Sequence, residues 1–304
     1  MCSSCARFAI GWLAGALVAS SVGLAASPPP ASSPTVASSP TAASSPELVS
    51  SAALPSSSAT ASANELRVCA DPDNLPFSHA DGSGFENRIA RVVADALHAT
   101  LAYDWLPQVR GYVRKSMGEG RCDVFIGVPA GFERVLTTKP YYRSSYVFVT
   151  RRSVAPPLAS FDDPRIRTLA IGVQLPGNDL AATPPGYALV AKGAVGNVTG
   201  FPLFGAPPAA ARMIAAIEAG TLDAGVLWGP QAGWYAQHAE PPLALAVARA
   251  PQEFGTMPFE FGIAMGVKRG NTPLRDALNA VIAERRADID AILTEYGVPR
   301  TDRR

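Results

Sequence analysis

Two rhythms of apolar and polar positions follow one another along residues 64–300. Leu66-Arg67-Val68-Cys69-Ala70 reads as a short apolar strand, closed by the turn formers Asp71-Pro72-Asp73-Asn74. After Gly84 the period changes. Phe85, Ile89, Val92, Val93, Ala96 and Leu97 recur at helical spacing, with Arg88, Arg91, Asp95 and His98 on the opposite face. Thr100 to Trp105 is the next strand. Strand, helix, strand in this order makes a βαβ unit, which implies a parallel sheet covered by helices.

One arrangement recurs. Gly120-Arg121-Cys122-Asp123 leads into Val124-Phe125-Ile126, and Gly220-Thr221-Leu222-Asp223 leads into Ala224-Gly225-Val226-Leu227. Each follows a helical stretch, one holding Val113 and Met117, the other Met213, Ile214 and Ile217. A glycine ending a helix turns the chain into a parallel strand, and its recurrence implies two lobes of similar design. Between them, Pro140 to Thr150 ends in a long β-rich strand, and Ile171-Gly172-Val173 opens a second parallel sheet. Phe259 to Val267 is a late strand. Thr272-Pro273 then starts a helix with proline at its first position. Leu274, Leu278, Val281 and Ile282 form one apolar stripe, Ile289, Ile292, Leu293 and Tyr296 the next, and Gly297 and Pro299 stop the chain.

The N-terminal quarter follows neither rhythm. One Arg precedes an apolar run from Phe8 to about Ala26, ending in small residues, which is the pattern of a secretory signal with cleavage after Ala25 or Ala26. The run is also long enough for an uncleaved anchor. Residues 27–63 are almost wholly Ser, Pro, Ala and Thr and carry a single charge, Glu47. With so little to bury, they are expected to be a disordered spacer. A net charge of +1 with 17% charged residues gives no footprint for nucleic acid. An oxidising compartment allows Cys69 and Cys122 to pair, the alternative being two buried thiols in or beside strands.

In this order the pieces resemble the type II periplasmic solute-binding proteins. The carrying residues are Leu66-Arg67-Val68 before Asp71-Pro72 and Pro76-Phe77, Gly84-Phe85-Glu86 opening a helix, Gly120 to Asp123, Pro140-Tyr141-Tyr142, and the closing Gly262-Ile263-Ala264 and Glu295-Tyr296-Gly297. The resemblance implies an α/β fold of two lobes, each a mainly parallel sheet flanked by helices. Lobe I would comprise 64–143 and 270–300, and lobe II 144–269, after a signal peptide at 1–26 and a linker at 27–63. Asn74-Leu75-Pro76-Phe77-Ser78, Gly127-Val128-Pro129-Ala130-Gly131, Trp228-Gly229-Pro230 and Tyr296-Gly297-Val298-Pro299 look more narrowly like the quinoprotein dehydrogenase-associated substrate-binding proteins of methanol oxidation clusters. That resemblance implies a periplasmic location and a partner, a PQQ-dependent alcohol dehydrogenase, with its cytochrome c as a second candidate.

In open α/β sheets ligands sit beyond the carboxyl ends of the strands. The expected cleft residues are therefore Asn74, Phe77, Gly127, Pro129, Arg134, Gly177, Asn178, Asp179 and Trp228. Amino-acid receptors of this fold place an aromatic residue before Pro-Phe, hydroxyls after the third strand and an acid against the ligand's ammonium. This chain has Asn74, then Gly127 to Ala130, then Trp228. An ammonium without a counter-charge is poorly stabilised in a desolvated cleft, so an amino-acid ligand is not expected. Arg134 matches a carboxylate-gripping arginine or a surface loop residue. Tyr141 and Tyr142 read as hinge packing, Arg110 as a solvated helix start.

No catalytic, metal or cofactor site is expected. The three histidines, His79, His98 and His238, show no ligand spacing, no Gly-x-Ser-x-Gly or phosphate loop occurs, and His79 is the one candidate acid or base. Three functions remain: a dehydrogenase accessory protein, a receptor delivering a small solute other than an amino acid to an ABC permease, and a dehydratase on the same fold. Fold alone does not choose among them.

Overall fold

The computed structural model describes residues 64–177, 179–203, 207–254 and 257–302; the expected signal peptide and linker lie outside these. The chain begins with β1 (Glu65–Ala70), the two-residue strands β2 (Asp73–Asn74) and β3 (Ser78–His79), α1 (Phe85–Ala96), β4 (Thr100–Trp105), α2 (Tyr112–Lys115), β5 (Val124–Pro129) and β6 (Leu136–Thr137). It continues through β7 (Tyr142–Thr150), β8 (Ile171–Leu175), α3 (Pro184–Ala191), β9 (Val198–Pro202), α4 (Ala209–Glu218), β10 (Ala224–Trp228), α5 (Gly229–Gln237) and β11 (Ala244–Val247). It closes with β12 (Glu260–Val267), α6 (Thr272–Glu284) and α7 (Arg286–Glu295).

The strands run in the order β4-β1-β5-β12-β7-β10-β8-β9, with β6 added to β12 and β11 to β7. β4, β1 and β5 are parallel, as are β10, β8 and β9. Two long antiparallel strands join these halves. β7 pairs with β12 through Tyr142–Ser145 and with β10 through Tyr146–Thr150. β12 pairs with β7 through Glu260–Ile263 and with β5 from Ile263 onward. β12 thus belongs largely to the first half-sheet. As an antiparallel strand crossing between the half-sheets, it supplies ladder partners to both.

Each half has its own core. Phe85, Ile89 and Val93 of α1 pack with Leu278, Ile289, Leu293 and Tyr296 of the C-terminal helices, which fixes α6 and α7 on the first half-sheet. In the second half, Phe148, Phe161, Ile171 and Leu189 lie on one face, and Val147, Met213, Ile217 and Leu227 on the other. Both faces of this sheet are therefore covered, as a parallel sheet requires.

The recurring Gly-x-x-Asp is one device used twice. Gly120 and Gly220 take left-handed φ of 73° and 77°, a conformation that favours glycine. Three residues on, Asp123 accepts the backbone N–H of Arg67 (3.1 Å) and the Arg67 guanidinium (2.7 Å to Oδ1). Asp223 accepts the backbone N–H of Ala170 (3.0 Å) and the guanidinium of Arg151. Each arginine also donates to its turn glycine, Arg67 to the Gly120 carbonyl at 3.0 Å and Arg151 to the Gly220 carbonyl at 3.5 Å. Beside the first turn, Cys69 and Cys122 are bridged, their Cα atoms 5.3 Å apart, in a small core with Met117, Phe125 and Val135. No helix among the described residues is long and apolar enough to cross a membrane.

Candidate functional site

Both halves present the carboxyl ends of their parallel strands to a common cleft. Asn74 and Phe77 follow β1, Gly127 to Pro129 end β5, and Trp228 ends β10. These residues line a cavity of about 320 Å³ together with Glu86, Gln108, Tyr142, Tyr146, Phe261 and Ile263. Asn74, Phe77, Gln108 and Trp228 also border an adjoining space of about 560 Å³ whose wall includes Asp71, Val109, Gln174, Leu203 and Gln231.

The joining strands furnish the aromatic wall. Tyr146 of β7 meets Trp228 edge-on at 5.5 Å between ring centroids, and Phe261 of β12 meets Trp228 at 5.7 Å. Opposite them Phe77 leans on Phe85 at 5.3 Å. Such tilted and edge-to-face pairs add to the burial that holds each ring. The two neighbouring tyrosines separate: Tyr141 is fully buried and donates to the Ile126 carbonyl (3.1 Å), whereas Tyr142 borders the cavity. Across the cleft the Tyr235 hydroxyl donates to the Leu75 carbonyl at 3.3 Å. In the second half Gln174 donates to Gln231 at 3.1 Å.

The carboxylates at the cleft have different surroundings. Asp71 accepts the backbone N–H groups of Asp73 (2.9 Å) and Gln108 (2.6 Å), so it holds two loops. Glu86, the second residue of α1, is half-buried and borders the cavity, and among the described residues its carboxyl has no hydrogen-bond or ion-pair partner. Burial alone pushes its pKa up to about 8. Gly127 lies against it: a Cβ there would collide with Glu86 Oε1. Glu86 was not among the expected site residues, because in sequence it reads as an acidic residue suited to a helix N-terminus. The cleft therefore does hold a carboxyl that can face an ammonium. What it lacks is a cation: among the described residues, no Lys, Arg or His lines either cavity.

Other expected cleft residues lie elsewhere. Arg134 is exposed and borders a separate depression with Arg114, Glu133, Lys268 and Arg269. The reason is local: Val135 is drawn into the small core around the disulfide and β6 pairs with the end of β12, which turns Arg134 outward. Gly177 and Asp179 are exposed and line neither cavity, and Asp179 accepts the Ala181 N–H (2.9 Å) to cap a turn. Gln174, still on β8, reaches the cleft instead. Asn178 lies outside the described residues. Arg110 is exposed and borders neither cavity. His79 pairs with Asp81 (2.8 Å) beside the helix start. Among the described residues no three ligating side chains come together as a metal site.

Two helix-flanked half-sheets, two joining strands and a cleft at the strand ends define a binding protein of the two-lobed periplasmic type. Residues 66–299 match the family of bacterial extracellular solute-binding proteins, family 3, and the chain belongs to it. Protein MoxJ of Methylorubrum extorquens is 34% identical over 250 residues, covering 78% of this chain and 82% of the relative. Protein MoxJ of Paracoccus denitrificans is 32% identical over 248 residues, covering 79% and 90%. The crystal structure of the periplasmic binding protein XoxJ from Methylobacterium extorquens AM1 superposes with a TM-score of 0.65 at 38% identity, covering 77% of this chain and 98% of that one.

Proposed function

We propose that this protein works in the periplasm as an accessory to a PQQ-dependent alcohol dehydrogenase, contacting it through the surface around the cleft. The observation that carries this reading is the cleft's chemistry. Asn74, the Gly127–Ala130 backbone and Trp228 stand where the sequence pattern of amino-acid receptors has polar clamps, and although Glu86 borders the inner cavity, neither cavity wall includes a cation among the described residues. Val109 and Leu203 stand 45% and 43% exposed at the wall of the wider space, an unusual expense of apolar surface for a cleft that only encloses a small polar solute. Concave apolar surface with a polar rim is a common mark of partner sites, and Trp228 has the character of an interface anchor. Kinship with the MoxJ proteins and the sequence resemblance to dehydrogenase-associated binding proteins indicate which partner to test.

The reading assigns no catalytic step to this chain. Delivery of a small solute to an ABC permease remains the second reading, favoured by family membership and by an inner cavity of about 320 Å³. The experiment is capture from periplasmic extract of the source organism with the tagged protein as bait. Retention of the quinoprotein dehydrogenase, identified by mass and by its quinone absorbance, is the expected result. Its absence from the bound fraction, with a permease subunit retained from solubilised membranes, would favour the solute receptor.

A further inference from the structure

Glu86 sits at the inner cavity without a counter-charge among the described residues. Its titratable neighbours are the phenols of Tyr103, Tyr112, Tyr141 and Tyr142, all held above the ordinary tyrosine range chiefly by burial and therefore neutral. A desolvated carboxylate with neither hydrogen bond nor ion pair is costly, so the group keeps its proton until a cation supplies charge to it. The wall also carries the aromatic rings of Phe77, Tyr146, Trp228 and Phe261, beside Asn74, Gln108, Val128 and Ile263. Aromatic rings attract cations through their quadrupole, most strongly where water is excluded. Gly127 keeps the approach to the carboxyl open, because any side chain there would push Glu86 aside.

We propose that this cavity binds a small organic ammonium ion, its charge set against the Glu86 carboxylate and its alkyl groups against Phe77, Tyr146, Trp228 and Phe261. The volume of about 320 Å³ admits a compact ion. The ligand is an amine other than an amino acid, because among the described residues no cation lines the cavity to meet a ligand carboxylate. The inference stands apart from the partner reading, since it concerns the inner cavity and needs no dehydrogenase.

The test is titration of the purified protein, by calorimetry and tryptophan fluorescence, with tetramethylammonium chloride, n-butylammonium chloride and the neutral 1-butanol. The expected result is saturable binding of at least one ammonium ion, with butanol weaker by about tenfold or more. Glu86→Gln should weaken the ammonium ion by about tenfold or more and leave butanol unchanged. Gly127→Ala should act in the same direction while leaving the Glu86 charge in place. Tetramethylammonium does not titrate, so its affinity for the wild type should rise with pH up to about 8 and level off above it, as Glu86 ionises. The Glu86→Gln profile should be flat. Thermal unfolding of each variant separates loss of binding from loss of fold. Absence of saturable binding of both ions at about 10 mM, a concentration that detects even millimolar affinities, would overturn the proposal. Equal affinity of folded wild type and Glu86→Gln for the ions would also overturn it.

Discussion

Glu86 couples the site to stability. An unfolded glutamate titrates near about 4.3, whereas burial raises the folded value to about 8. Between these limits the folded state binds the additional proton, so stability is greatest below about pH 4.3 as far as this group is concerned. It falls as pH rises toward 8, by up to about 1.4 kcal/mol per pH unit. Glu86→Gln should remove this slope and raise the melting temperature at pH 8 relative to wild type. Melting temperatures from pH 5 to 9 check it, and parallel curves for the two proteins would contradict it. Glu86 was legible only as part of Gly84-Phe85-Glu86, since a carboxylate at a helix N-terminus is accounted for by the helix dipole. Its place under Gly127 depends on a helix and a strand, α1 and β5, that meet in space. Asn74, Phe77, Gly127, Pro129 and Trp228 could be named beforehand because they lie at or just beyond the carboxyl ends of strands, whereas Tyr146 and Phe261 sit within the joining strands.

At the level of elements, the repeated turn shows what a short pattern can and cannot disclose. Gly-x-x-Asp was visible twice, and the glycine's conformational role follows from chemistry alone. The partners of the aspartate, Arg67 and Arg151, come from different elements and had no signal of their own. Asp123→Ala and Asp223→Ala each remove a side-chain acceptor from a backbone N–H and a guanidinium, and each should cost about 1–3 kcal/mol. Urea unfolding measures it; losses below about 0.5 kcal/mol, the range of ordinary surface substitutions, would contradict the shared role. The disulfide strengthens the same corner of the first half. Cys69 and Cys122 are 53 residues apart in sequence, and closing a loop of that length restricts the unfolded chain by about 4 kcal/mol in the entropic account. The double variant Cys69→Ala/Cys122→Ala should lose about 2–4 kcal/mol. Thiol titration of the denatured, unreduced protein should find neither of these two cysteines free.

For the whole molecule, the two-lobed plan was readable from βαβ order and the repeated turn, while the crossing of β12 was not. A strand that pairs with one sheet at its start and another at its end has the same apolar pattern as any buried strand. The crossings carry Tyr146 and Phe261 into the cleft, so the joint between the halves and the aromatic wall are one structure. Trp228 is central to it. Calorimetry with the common amino acids should give negligible heat, because among the described residues no arginine or lysine lines the cleft to hold a carboxylate; tight binding of any of them would reverse that reading. The most direct measurement on the central claim is a titration of the purified quinoprotein dehydrogenase from the source organism into the wild type and Trp228→Ala. Association with the wild type, weakened about thirtyfold by the substitution, equivalent to about 2 kcal/mol, is predicted. No association of the wild type at about 50 μM, below which even weak specific contacts should register, would contradict it.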